Sequence, residues 1–242
     1  MKVLDLTLPT PAENLACDEA LLDAAESGAG GEVLRFWESP EYFVVVGYAN
    51  KVATEVKTAT CRAWEIAILR RCSGGGTVAQ GPGCLNYALV LKIAEDRPTR
   101  NISSANQFIM ERNRAATDSA LRTPRSALQI QGHTDLAIGG LKFSGNSQRR
   151  RKNFLLFHGT FLLDFDLALV SELLHHPTQQ PDYRGRRSHG EFITNLNLPR
   201  KDLKAALTEA WQAGDNSTDF PRYEIAKLVA EKYSTNDWNL RF

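Results

Sequence analysis

The chain has 242 residues, enough for one large domain or two small ones and for a sizeable buried core. Hydrophobic residues make up 43% and charged residues 24%, ordinary proportions for a water-soluble globular protein, and no apolar run is long enough to span a bilayer. A formal net charge of +1 excludes a global field drawing the chain to nucleic acid or a membrane, so any charged ligand must be held locally.

Met1 to Leu8 alternates like a strand, with no cleavage signature, and a cytoplasmic protein is expected. Thr10-Pro11-Ala12-Glu13 reads as a capping box with proline in the first turn, starting a helix that runs to about Ser27 and stops at Gly28, Gly30 and Gly31. Strands are expected at Val33–Trp37, Tyr42–Gly47, Ile66–Arg71 and Leu85–Ile93, then a helix from Ser103 to about Leu121. Asp135–Ile138 and Leu141–Ser147 flank Gly139-Gly140, the signature of a hairpin whose two-residue turn needs positive φ. Phe154–Leu163 is a further strand, and Leu167–Leu174, Arg200–Ala213 and Pro221–Tyr233 read as helices. Hairpin strands mixed irregularly with helices argue for an α+β domain rather than a regular βαβ repeat.

Three segments carry candidate chemistry. In Arg70-Arg71-Cys72-Ser73-Gly74-Gly75-Gly76-Thr77-Val78, consecutive glycines expose backbone N–H groups as an anion nest, and two arginines supply permanent charge. The segment is a polyphosphate or carboxylate loop, or a plain tight turn; with no lysine in GK[ST] order it is not a P-loop. Strand alternation through Leu141–Asn146 places Lys142, Ser144 and Asn146 on one face, either in solvent or in a polar pocket where the lysine would meet phosphate. His158, in Phe157-His158-Gly159-Thr160, is a structural histidine or a catalyst.

Weaker features have plainer readings. The basic runs Arg149–Lys152 and Tyr183–Arg187 read as solvated turns, the first able to meet an acidic partner. His175, His176 and His189 lack metal-ligand spacing, and no metal site is expected. Cys17, Cys61, Cys72 and Cys84 form no CxxC pair and read as reduced, buried thiols, although Cys72 beside Arg71 has the setting of a nucleophile.

Taken in order, NLACDEALL at Asn14–Leu22, RFWESPEYFVVVGYAN at Arg35–Asn50, RRCSGGGTV, LNYALVL at Leu85–Leu91, TDLAIGGLKFSGNSQ at Thr134–Gln148, FHGTFLLDFDL at Phe157–Leu167, TNLNL at Thr194–Leu198 and the closing KYSTNDWN resemble the biotin/lipoate protein ligase family, in its lipoate–protein ligase branch. The resemblance spans nearly the whole chain. It implies an α+β catalytic domain over residues 1–242, with a mixed, largely antiparallel sheet and flanking helices, similar to class II aminoacyl-tRNA synthetases and biotin ligases. It implies ATP with Mg²⁺ and lipoate as substrates: lipoate is activated to lipoyl-AMP, and a lysine of a lipoyl acceptor domain then takes the acyl group. Neither nucleic acid nor membrane is an expected partner.

By the same resemblance, Lys142 contacts acyl and phosphate oxygens, and Arg70, Arg71, Ser73, Gly74, Gly75 and Gly76 line the adenylate site, continued by Thr77 and Val78. Trp37 and His158 lie near the acyl tunnel, and Asn86 and Asp135 hold nucleotide or metal. Two departures stand out. Ala79-Gln80-Gly81-Pro82-Gly83 replaces a segment that often carries histidine or tyrosine. The accessory C-terminal domain of the larger ligases is not expected in this chain, so either a small accessory subunit completes the enzyme or the chain works alone. The alternatives are an octanoyl/lipoyl transferase using a carrier-bound donor, a non-catalytic lipoate-binding module and a biotin ligase. The transferase reading is opposed by the lack of a cysteine between Leu121 and Lys142.

Overall fold

A computed structural model describes residues 1–121, 127–216 and 218–242. Strand β1 (Lys2–Asp5) leads into helix α1 (Pro11–Glu26). The capping box is formed: Thr10 Oγ1 accepts from the Glu13 amide, and the Glu13 carboxylate accepts from the Thr10 amide. The crossover through α1 returns the chain as β2 (Val33–Trp37), parallel to β1. Next come β3 (Phe43–Val46), the short helices α2 (Val52–Glu55) and α3 (Thr58–Ala63), β4 (Ala67–Arg70), β5 (Val78–Gln80) and the long β6 (Cys84–Lys92). Helix α4 (Ile102–Leu121) precedes the meander β7 (Leu128–Gln131), β8 (Asp135–Ile138), β9 (Leu141–Arg150) and β10 (Phe154–Leu162). The rest comprises α5 (Ala168–Leu173), α6 (His189–Phe192), α7 (Arg200–Ala210), β11 (Asp215–Asn216), α8 (Arg222–Leu228) and α9 (Asn236–Asn239). The expected helix to Tyr233 is α8 followed by a π-helical turn, Val229–Tyr233.

The architecture is α+β. A mixed, largely antiparallel sheet has the order β11-β1-β2-β6-β10-β9-β8-β7, and a smaller sheet has the order β4-β3-β5. Alternation sorts the side chains of the large sheet. Leu34, Phe36, Tyr87, Leu89, Phe157 and Phe161 pack with α4 and α7, whereas Ala88, Val90 and Leu156 pack with α1. The small sheet buries Val44 and Val46 with Val52, Cys61, Phe165 and Leu173. The α1 face of the large sheet and the small sheet bound the site between them.

One alternation expectation needs correction. Across β8 and β9, Ala137 pairs with Lys142 but Leu136 pairs with Ser144, so Phe143 is an extra residue in a β-bulge. Phe143 enters the core, and beyond it the faces exchange. Lys142 therefore shares a side with Gly145 and Ser147, not with Ser144 and Asn146. The Cβ that Gly145 lacks would lie 2.7 Å from Lys142 Nζ, which shows where the lysine lies.

Candidate active site

The bulge and strand register create a line of side chains across the large sheet. Directly opposed residues point to the same side. Asp135 pairs with Gly145, Gly145 with Thr160, Thr160 with Asn86, and Asn86 with Trp37. The neighbouring line is Ser147, His158, Ala88 and Arg35. The first line, with Ser147 and His158 of the second, lines a cavity of about 1260 Å³ that is also bordered by α1, the small sheet and the segment around residues 177–193.

Lys142 stands at one end. Its Nζ lies 2.8 Å from Asp135 Oδ1, and Tyr183 Oη donates to Asp135 Oδ2 at 2.8 Å. The backbone of Lys142 is fixed from outside the sheet, where its carbonyl accepts from the Thr194 amide. Arg187 Nη2 donates to the carbonyls of Gly140 and Tyr183, tying the hairpin turn to the Tyr183 segment. The segment Tyr183–Arg187 is thus not a solvated turn. Arg184 is only 5% exposed, and burial together with the Asp135 carboxylate raises the pKa of the Tyr183 phenol.

The glycine loop rises beside Ser147, whose Cβ would lie 3.5 Å from a Cβ on Gly75. Arg71 donates from Nε and Nη2 to Gly74 O, and from Nη2 to Gly76 O, so its guanidinium gathers the loop carbonyls inward. Among the described residues, the amides of Gly74, Gly75 and Gly76 donate to no other group, and these three residues are exposed. The loop therefore has unpaired backbone donors to offer an anion. Gly75 takes φ +89°, a left-handed conformation that favours glycine. Burial lowers the Arg71 pKa to about 10, which leaves it charged at neutral pH.

Arg70 lies elsewhere. Expected at the ligand, it is fully buried and absent from the cavity lining. Its guanidinium donates to the carbonyls of Gly47, Tyr48, Asn50, Trp238, Asn239 and Arg241, pinning the C-terminal residues to the loop after β3.

Ser73 also stands behind the wall, 1% exposed. Its Oγ is 2.6 Å from His158 Nε2 and 2.7 Å from Ser147 Oγ; His158 Nδ1 is 3.1 Å from Asp18 Oδ2, and Asp18 Oδ1 accepts from Arg35 Nη1 at 2.5 Å. The connectivity is that of a serine–histidine–aspartate relay. A nucleophile must reach its substrate, however, and Ser73 Oγ is covered by Ser147. The relay fixes His158, Ser147 and Asp18, all of which line the cavity.

At the far end, Gln80 Nε2 donates to Thr160 Oγ1 at 2.7 Å, and Thr160 donates to Asn86 Oδ1 at 2.6 Å. Trp37 stacks on Phe43. Leu15, Val45, Val78, Leu162 and Val170 supply apolar walls between the polar groups. Thr77 completes the lining near the glycine loop. None of the four cysteines lines the cavity: all are buried, and burial raises the thiols of Cys17, Cys72 and Cys84 to about 12. The unusual loop Ala79–Gly83 thus contributes Gln80. Sequence reading did not assign Asp18, Ser147, Thr160 and Tyr183 to the site: the first three lie in segments that carry the resemblance, but their partners lie far away in the chain.

The model of the lipoyl protein ligase A/B catalytic domain matches residues 10–210. An octanoyltransferase LipM from Halalkalibacterium halodurans is 26% identical, over 96% of this chain and 95% of that protein. The LipM octanoyltransferase of Bacillus subtilis is 24% identical over 99% and 98% of the two chains. Among solved structures, the bipartite lipoate protein ligase of an archaeal lipoylation system from Thermoplasma acidophilum, described with its E2 lipoyl domain, superposes with a TM-score of 0.83 at 23% identity, covering 99% of this chain and 95% of that one. A lipoate-protein ligase A bound with ATP superposes with a TM-score of 0.77 at 24% identity, covering 99% and 98%.

Proposed function

Because the chain belongs to the lipoyl protein ligase A/B catalytic-domain family, we propose that it transfers a lipoyl or octanoyl group to the ε-amine of a lysine on a lipoyl acceptor domain. The observation that carries this reading is the line from Lys142 to Trp37. From Gly145 to Asn86 is two strand spacings, about 10 Å, the reach of an extended chain of roughly eight carbons. The acyl carbonyl lies at Lys142 and the tail runs toward Trp37. The Lys142 ammonium stabilises negative charge that develops on oxygen as the carbonyl is attacked.

For the donor, we propose an acyl adenylate made from ATP. The acyl carboxylate attacks the α-phosphate and pyrophosphate leaves; the acceptor amine then attacks the mixed anhydride and AMP leaves. Two features support this. The free amides of Gly75 and Gly76 and the Arg71 charge offer a phosphate seat in the same cavity as Lys142. The burial of every cysteine opposes a route through an enzyme thioester. Mg²⁺ arriving with ATP would be held chiefly by the phosphates, with Asp135 the carboxylate beside Lys142. A second reading, a carrier-bound octanoyl donor attacked directly by the acceptor amine, is favoured by the names of the LipM relatives.

The test is the intact mass of an acceptor domain incubated with the chain and either lipoate or octanoate with Mg-ATP, or an octanoyl-loaded carrier protein. An ATP-dependent acyl gain supports the adenylate. A gain from the carrier alone replaces it with the second reading. The archaeal structure supports adding a separate small subunit as a further arm. No gain from any donor, with or without that subunit, overturns acyl transfer.

A further inference from the structure

The run Tyr183-Arg184-Gly185-Arg186-Arg187 borders the cavity at the Lys142 end, and two of its arginines serve the backbone. Arg184 Nε donates to the Arg187 carbonyl, and Arg187 Nε donates back to the Arg184 carbonyl. Both guanidinium groups stand over the Phe192 ring, 4.7 and 5.2 Å from its centroid. The turn between them takes two left-handed residues, Gly185 at φ +60° and Arg186 at φ +61°. Glycine adopts that conformation freely; arginine adopts it at a cost that the surrounding bonds must offset, and such strain gathers where a structure holds a group for use. The group held by this clasp is Tyr183. Arg187 Nη2 donates to its carbonyl, and its ring packs on Phe192 with centroids 5.1 Å apart. On another side a Cβ at Gly132 would lie 3.7 Å from Tyr183 Cε1 and 3.2 Å from Pro181 Cβ, so the segment is seated closely against the β7–β8 turn. What the clasp presents is the phenol O–H. It donates to Asp135 Oδ2 at 2.8 Å, and Asp135 Oδ1 lies 2.8 Å from Lys142 Nζ. Burial and the Asp135 charge raise the pKa of the phenol, so it keeps its proton and remains a donor. A carboxylate tied at one oxygen does not turn to close both oxygens on the ammonium, and Lys142 keeps N–H groups for an incoming oxygen.

We infer that Tyr183 is a positioning residue for Lys142, acting through Asp135: the clasped phenol fixes the carboxylate, and the carboxylate sets the direction in which the ammonium points over Gly145. The inference rests on the acyl-transfer reading, in which Lys142 meets the attacked carbonyl. The phenol acts on the carboxylate and not on the acyl group. Its loss therefore lowers the maximal rate and leaves the affinity for the donor alone. A lysine displaced by about 1 Å should lose about tenfold or more in rate.

The experiment compares the full chain with Tyr183→Phe, which removes one oxygen and keeps the ring on Phe192. Steady-state transfer to the acceptor domain is followed by intact mass, with the donor that the unmodified chain uses. The maximal rate is expected to fall about tenfold, with the KM for the donor and the melting temperature unchanged. An unchanged maximal rate overturns the positioning role and leaves acyl transfer standing. So does a fall accompanied by a raised KM or a lowered melting temperature, which would make the phenol a donor contact or a structural tie. Asp135→Ala takes away the group that the phenol holds, and adding Tyr183→Phe to it should cost nothing further; effects that multiply overturn the relay through Asp135. No transfer by the unmodified chain from any donor overturns acyl transfer itself, and the positioning role falls with it.

Discussion

Lys142 is held by one carboxylate and stands over a residue without a side chain, and each of these facts has its own consequence. On the proposed reaction, Lys142→Ala removes the ammonium that would stabilise the attacked carbonyl, and acyl transfer should fall by about a hundredfold or more. Asp135 keeps its bond from Tyr183, and the circular dichroism spectrum and melting temperature should stay near those of the unmodified chain. Gly145→Ala tests placement alone. Its new Cβ would meet only the flexible end of Lys142, so stability should hardly change, while a lysine pushed aside by about 1 Å should lower transfer roughly tenfold to a hundredfold. Intact-mass assays of the acceptor read both. The cysteines give the opposite expectation. A thiol with a pKa of about 12 is ionised in roughly one molecule in ten thousand at pH 8. Iodoacetamide should leave the native chain unmodified at that pH and label it once urea unfolds it, and Cys72→Ala and Cys84→Ala should retain transfer. At this scale the sequence showed residue type but not depth: adjacent Arg70 and Arg71 looked equivalent, and only packing separates the buried clamp from the organiser of the glycine loop.

Among the elements, the segments with strong local chemistry were the legible ones. The Thr10–Glu13 capping box, the Gly139-Gly140 turn and the apolar runs of β2, β3 and β10 all form close to where their residues predict. Strand alternation misled in β9, because the bulge at Phe143 is fixed by pairing with β8 and not by β9 alone. The short elements β5, β7 and α6 escaped notice because runs this brief carry no period of their own. Arg70 joins β4 to the loop after β3 and to the last residues of the chain by donating to carbonyls of both. Arg70→Met would strand several of those carbonyls in a dry interior, at a cost of at least about 3 kcal/mol. A lower urea midpoint with an unchanged slope should report it.

At the scale of the whole molecule, a chain of buried polar groups crosses the core beneath the site. Trp211 donates to Asn113, Asn113 to the Tyr87 hydroxyl, and Tyr87 to Asn146. It ties α4 and the end of α7 to β9, through a largely apolar core. Tyr87→Phe should cost about 1 to 3 kcal/mol, since it leaves polar atoms of Asn113 and Asn146 each short of a partner; thermal unfolding measures it. The general α+β plan was legible because hairpin and helix signals follow one another irregularly. The closure of the cavity was not, since Asp18, Tyr183 and Thr194 come from remote stretches. The line of opposed residues from Asp135 to Trp37 has one more implication. Trp37, Gln80 and Asn86 all precede α4, whereas Asp135, Lys142 and Gly145 all follow it. The two ends of the line are thus encoded mainly on opposite sides of α4, but Thr160, which follows α4, is bonded to Gln80 and Asn86, which precede it. Recombination within α4 between divergent parents would have to keep these three matched, so the two ends of the cavity are inherited as a pair.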